Sequence, residues 1–302
     1  MDFSSASLVD GFVGESAALT AALLWALSSV VYSRLGLKIP PLQLNLYKGI
    51  VAIALIGVTL LIQGVALANL SLSTVLLLAL SGVIGIGLGD TAYFSALNSL
   101  GARRTLLLET SSPPIGALLA LLLIGEQLTA SSWCGILLTI FGIAWVISER
   151  NPVNNLPISR RGIIWGILAA IAQALGAVIS RFALVQSDVS PLASTLIRLI
   201  GGTIIVIGLL TFTRTKPVEK TVRLSPRSLG IIAIAAFGST YLGIWLQQIS
   251  LKFAPTGIAQ TFLATSPLFI LPIVALQGEK ISLRAILGVA ISLAGIALMF
   301  VR

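Results

Sequence analysis

Four charged residues interrupt long apolar runs: Lys48, Asp90, Glu109 and Arg198. A charge at the centre of a spanning helix costs about 2.5–3.5 kcal/mol on insertion scales, so such a residue faces a cavity or a partner. Glu109 adjoins Ser111, Ser112 and the Pro113-Pro114 pair. A carboxyl group in low dielectric can exchange a proton near neutral pH, which suits proton coupling or binding of an amine. The alternative is that Glu109 reaches back to Arg103 or Arg104 at the helix end. Lys48 and Arg198 could hold a carboxylate or phosphate, or could brace their helices on neighbouring carbonyls or acids. Asp90 closes the run Gly85-Ile86-Gly87-Leu88-Gly89-Asp90; it is either part of a site, an ion-pair partner of Lys48, or a polar contact near the membrane surface.

Uncharged polar groups extend this set. Gln173, Gln247, Gln248 and Gln260 are cavity candidates, and so are the aromatic residues Trp25, Tyr93 and Trp245, for which a lipid-facing position is the other reading. Pro113, Pro114, Pro267 and Pro272 predict breaks in two helices, because proline lacks an N–H and clashes with the preceding turn. Ser112 and Thr265 are placed to bond the freed carbonyls. Ser81, Gly85 and Gly89 recur every four residues, which predicts close helix packing. Glu126 and Glu279 sit at loop–helix junctions, where a carboxylate suits a helix N-terminus.

The elements that position these groups follow from composition. Of 302 residues, 57% are hydrophobic and 10% charged, against about 25% charged in soluble domains. Apolar runs predict ten helical spans, roughly 16–35, 41–62, 74–97, 105–124, 131–148, 162–183, 191–212, 228–250, 257–277 and 283–301. Runs of ~20 residues suit helices, whereas membrane strands need only ~10 with alternating polarity. The expected class is an all-α integral membrane protein. Residues 1–15 form a tail whose Asp2, Asp10 and Glu15, without Lys or Arg, do not resemble the start of a signal peptide.

The chain repeats itself. Pro114 matches Pro267, Gly125-Glu126 matches Gly278-Glu279, and Gly142-Ile143-Ala144 matches Gly295-Ile296-Ala297. Ser33-Arg34 matches Ser180-Arg181, Pro41-Leu42 matches Pro191-Leu192, and Lys48 matches Arg198. The collinear order predicts a duplication: a first five-helix unit over 16–148, a linker over 149–161 and a second unit over 162–301. Two units of five spans run in opposite senses, the inverted-repeat plan of secondary transporters, with the site between repeats near the midplane. Fourteen of the nineteen Lys and Arg fall in loops after odd-numbered spans and three after even-numbered ones. The positive-inside rule then places odd loops in the cytoplasm and both termini outside.

Other classes lack parts. No histidine is present and Cys134 is the one cysteine, so no metal or redox cofactor is expected and a metal or protease site has no ligands. No phosphate-binding glycine loop occurs. The net charge of +9 reads as membrane orientation, not nucleic-acid binding. A permease subunit of an ATP-driven importer needs a cytoplasmic docking segment, for which only the short 213–227 loop is available; a membrane-embedded enzyme is the remaining alternative.

The residues Leu24-Trp25-Ala26, Tyr47-Lys48-Gly49, Ser111-Ser112-Pro113-Pro114 with Gly125-Glu126, and Thr265-Ser266-Pro267 with Gly278-Glu279 make the chain resemble the drug/metabolite transporter superfamily, specifically its EamA-type ten-helix exporters. The resemblance spans nearly the whole chain. It implies export or exchange of small metabolites such as amino acids through a central cavity. The expected protein is a plasma-membrane carrier, not an enzyme, working by alternating access, with Glu109 or Asp90 either coupling protons or binding an amine. Many bacterial members keep both termini in the cytoplasm, whereas the charge count here places them outside.

Overall fold

The computed structural model describes residues 3–36, 38–64, 70–100, 102–147, 159–213, 225–269 and 282–300. Helices account for nearly all of them, and no strand occurs among the described residues. In the first half these are α1 (Phe3–Leu35), α2 (Pro41–Gln63), α3 (Leu72–Gly82), α4 (Asp90–Leu100), α5 (Ala102–Glu109), α6 (Ser112–Ile124) and α7 (Ala130–Ile147). In the second half they are α8 (Arg160–Val185), α9 (Pro191–Thr213), α10 (Pro226–Ala236), α11 (Gly243–Phe253), α12 (Thr256–Leu263) and α13 (Leu283–Phe300).

Local chemistry sets the ends. Ser71, Ser159 and Ser225 each accept the backbone N–H three residues on, capping α3, α8 and α10. Gly64 and Gly125 end α2 and α6 in the left-handed region, at φ 63° and 69°, where a side chain would be strained. The expected tail over 1–15 is helical from Phe3: no proline interrupts it, and Gly14 packs against the corner at Ala254. Arg160 and Arg161, assigned to the linker, already belong to α8. Residues 149–158 of that linker, most of the 213–227 loop, Pro272 and Glu279 lie outside the described residues.

Six segments are long and apolar enough to cross a membrane: 12–32, 41–63, 72–100, 160–185, 191–212 and 226–253. Three shorter apolar helices accompany them, at 112–124, 130–145 and 283–299. The multi-pass membrane character is therefore plain. Two of the long segments are continuous but not uniformly α-helical. Between α3 and α4, Val83–Gly89 is a π-helical turn, and between α10 and α11, Phe237–Leu242 is another. Such turns widen the coil and leave backbone carbonyls without their usual i→i−4 partner.

The expected single span over 105–124 is two helices, α5 and α6, separated at Thr110 and Ser111. In the second half, α12 ends at Leu263, residues 264–265 turn, and helix resumes at 266. Proline is the reason in the first case: Pro113 and Pro114 occupy the opening turn of α6, where a missing N–H costs nothing, so the break falls just ahead of them.

The helices pack mainly across the chain's midpoint. Helix α1 packs on α11 and α12, while α8 packs on α4, α5 and α6. The pairs α2 with α9 and α7 with α13 do the same. Small residues permit the approach: a Cβ on Gly82 would overlap the carbonyl of Arg198, and one on Gly176 would lie 3.0 Å from the Cα of Gly85. Ser81 donates to the Gly176 carbonyl at 2.7 Å. The Ser81, Gly85, Gly89 stripe thus seats α3 and its π turn against α8 and α9, and fixes where Arg198 begins.

Candidate functional site

The freed carbonyls of the two π turns are bonded by side chains from neighbouring helices. Asn45 on α2 donates its Nδ2 to the carbonyls of Ile86 and Gly87, at 2.9 and 3.3 Å, and to Thr91 Oγ1 at 3.0 Å. On the other side Trp25 Nε1 donates to the Ser239 carbonyl at 2.7 Å, and Ser239 Oγ lies 3.0 Å from the Tyr32 hydroxyl. In a membrane such carbonyls must find internal partners, so each π turn is pinned in place.

Each π turn delivers one residue at its exit. In the first half that residue is Asp90; in the second it is Gly243, where a Cβ would overlap the Trp25 indole. Asp90 therefore has no acidic counterpart. Its Oδ2 pairs with Lys48 Nζ, and its Oδ1 accepts from Gln173 Nε2 at 3.1 Å. Lys48 also lies 5.2 Å from the centre of the Phe94 ring, a favourable cation–π position. The Lys48–Asp90 pair anticipated from sequence is formed, and its charges offset each other.

The Thr110–Ser111 break brings Glu109 to the same place. Ser111 Oγ donates to the Leu108 carbonyl at 2.6 Å, and Thr265 Oγ1 donates to the Phe262 carbonyl at 2.6 Å. Ser112, expected to serve a freed carbonyl, instead donates across to Gln260 Oε1 at 3.0 Å. Glu109 Oε1 is buried and has no hydrogen-bond partner among the described residues.

Arg198 is 1% exposed. Its Nη1 donates to Gln247 Oε1 at 3.4 Å, while Nε is buried and has no partner among the described residues. Gln260 Nε2 is likewise unpartnered. Buried polar groups are normally hydrogen-bonded, and leaving one unpaired costs ≈ 1–3 kcal/mol, more when it is charged.

These groups share one cavity, with about 180 Å³ of room for water-sized molecules. Lys48, Asp90, Glu109, Arg198, Gln173, Gln260, Tyr93, Trp25, Pro113 and Pro267 all line it. Residues from both halves contribute, including Arg198 and Gln247 of the second. An aromatic wall of Tyr32, Phe94 and Tyr93, with ring centres 5.6 and 5.7 Å apart edge to face, faces the polar groups.

Two cavity candidates, Trp245 and Gln248, fall outside the lining. Trp245 does not line the cavity; it packs with Ile53, Leu196 and Tyr241 against the apolar cluster around Ala52 and Leu199. Pro114, expected as a helix break, stands with Pro113 in the opening turn of α6. Gln248 is tied down elsewhere, its Oε1 accepting from Ser180 and Ser194 at 2.5 and 2.7 Å. Glu126 does bond a helix N-terminus, although not that of the helix following it: Oε2 accepts from the Thr256 N–H at 2.8 Å and Oε1 from Arg181 Nε at 2.7 Å.

Sequence reasoning missed Asn45 and the Tyr32–Ser239 contact. The amide of Asn45, between Leu44 and Leu46, was a usable signal, since a polar side chain in an apolar span needs a partner.

The fold and site define a multi-pass helical membrane protein with a polar cavity assembled from both ends of its chain. The EamA-like transporter family model matches residues 12–148 and again 160–301, and the chain belongs to that family. A protein of Archaeoglobus fulgidus described as an uncharacterized transporter is 26% identical over 286 residues, which are 93% of this chain and 95% of that relative. A solved structure described only as the crystal structure of a protein superposes with a TM-score of 0.75 at 16% identity, covering 98% of this chain and 96% of that one; it shares the fold.

Proposed function

We propose that the chain is a secondary transporter that exports or exchanges a small zwitterionic metabolite, an amino acid or similar solute, by alternating access between two inverted five-helix repeats, 16–148 and 162–301. In this reading ten spans cross the plasma membrane, odd loops face the cytoplasm and both termini lie outside. The observation that carries it is the unmatched pair in the cavity: a buried carboxylate oxygen at Glu109 and the buried Nε–H of Arg198, each without a hydrogen-bond partner among the described residues. With Lys48 and Asp90 neutralising each other, the lining keeps one carboxyl group and one guanidinium that form no ion pair among the described residues. A ligand with an ammonium end and a carboxylate end satisfies both without adding net charge to a low-dielectric site.

In this reading Gln260 Nε2 adds a second donor for the anionic end, and the Tyr32–Phe94–Tyr93 wall meets the apolar part. Glu109 exchanges its bound proton for the substrate ammonium, which couples transport to the proton gradient. The test is counterflow in proteoliposomes loaded with unlabelled solutes of three kinds: zwitterions, the matching amines without carboxylate, and the matching acids without amine. Saturable uptake of labelled zwitterion, with neither analogue class competing, supports the reading. Equal competition by the amine or acid series rejects the two-ended site.

A further inference from the structure

The Glu126–Arg181 pair stands outside the cavity and has a different construction. Glu126 follows the Gly125 cap of α6, and Arg181 lies near the end of α8. Their carboxylate and guanidinium are 17% and 15% exposed. Arg181 Nη1 also donates to the carbonyls of Leu251 and Lys252, at 2.8 and 2.7 Å, which are the C-terminal carbonyls of α11. Glu126 Oε2 accepts from the Thr256 N–H that opens α12. A cation thus sits on a helix C-terminus and an anion on a helix N-terminus, both in the favourable sense of the helix dipole. One ion pair thereby joins four helix ends, α6 from the first half and α8, α11 and α12 from the second.

This cluster closes one end of the molecule. Along α12 the lining residues begin at Gln260 and continue through Leu263 to Pro267, away from Thr256. Along α1 they run from Trp25 to Tyr32, toward the Leu35 end. Among the described residues the lining therefore lies toward the end where α1 finishes. The opposite end is filled: Gly14 of α1 packs so closely on the Phe253–Ala254 corner that a Cβ there would lie 3.1 Å from Ala254, and Ala18, Ala21, Ala117, Ile258 and Phe262 form a buried cluster beneath it. Arg34, the residue matched to Arg181 in the repeat, is exposed.

We infer that Glu126 and Arg181 are the latch of this closed end: access from that face requires the pair to part and the α11–α12 corner to leave α6. The inference rests on the transporter reading above, since a latch matters only if the cavity must open to both faces. By charge count the latched face is the outer one. Only a group that changes partners between two packed states can bias their populations. The pair qualifies because its bonds cross from one half to the other.

The test uses the full chain with Cys134→Ser and the cavity reporter Ala264→Cys, labelled with a membrane-impermeant maleimide applied separately to the two faces. With Glu126 intact, labelling is fast from the face opposite Arg181 and slow from the Arg181 face. Glu126→Gln, which is isosteric, and Arg181→Gln each raise the rate from the Arg181 face by about tenfold, a shift within the range of ordinary coupling energies. Lys252→Gln, which loses only a bond to the Val189 carbonyl, leaves it unchanged. An unaltered rate in both latch variants, with the opposite face still labelling, overturns the latch alone. Labelling from neither face in any variant overturns the latch together with the transporter reading.

Discussion

Trp25 Nε1 donates to the Ser239 carbonyl at 2.7 Å, joining the first helix of one half to the π turn of the other. The contact supports the cavity wall that Ser239 and Thr240 provide. Trp25→Phe keeps the ring but leaves the carbonyl unbonded, at a cost of about 1–3 kcal/mol. A lowered melting temperature in detergent is expected for Trp25→Phe, with a larger drop for Trp25→Ala. An unchanged melting temperature for both would mean that the π turn holds itself.

The Lys48–Asp90 pair makes a second expectation. Removing one partner of a buried pair strands the other charge, on the order of 3–5 kcal/mol. Lys48→Met and Asp90→Asn should each depress the yield of monodisperse protein, and the double variant should recover much of it. Size-exclusion profiles of the four proteins decide this. If the double variant were the worst of them, each residue would have a separate essential role.

Glycines divide by what surrounds them. Gly82→Ala places a methyl on the Arg198 carbonyl, so α3 and α9 must separate and the folded yield should collapse. Gly57 lies within α2 and meets nothing within 4 Å; Gly57→Ala should be neutral, or stabilising by up to about 1 kcal/mol. Thermal unfolding of the two variants side by side checks the contrast.

Much of the architecture was legible because the bilayer makes few demands and makes them loudly. Apolar runs, glycine stripes and Pro113-Pro114 marked where spans, close contacts and a break occur. The two π turns were not legible. Gly85, Gly87 and Gly89 read equally well as packing residues, and the Phe237–Leu242 turn has one internal glycine, Gly238. What stabilises each turn is a donor distant in sequence, Asn45 or Trp25, which only the fold brings near. The cavity residues were mostly identifiable, because a charge or amide inside an apolar run stands out. Trp245 was misplaced because an aromatic ring carries no such sign of which face it occupies. Glu126 showed its preference for a helix N-terminus but not which helix, since Thr256 is 130 residues away.

Proton coupling makes a further expectation. In proteoliposomes with an imposed pH gradient, wild-type protein should accumulate its solute above equilibrium. Glu109→Gln, which cannot carry the proton, should fail to respond to the gradient. Gradient-driven accumulation by Glu109→Gln at the wild-type level would remove Glu109 from coupling and leave it a structural residue.

The most direct measurement is counterflow by Glu109→Gln and Arg198→Gln beside wild type, with one zwitterionic solute that wild type exchanges and with folding confirmed by gel filtration. Saturable exchange by wild type, lost or reduced by at least about tenfold in each variant, is the predicted result, since a charged hydrogen bond contributes ≈ 1.5–3 kcal/mol. Exchange at the wild-type rate and apparent affinity in both variants would contradict the assignment of the two unpartnered charges to the substrate.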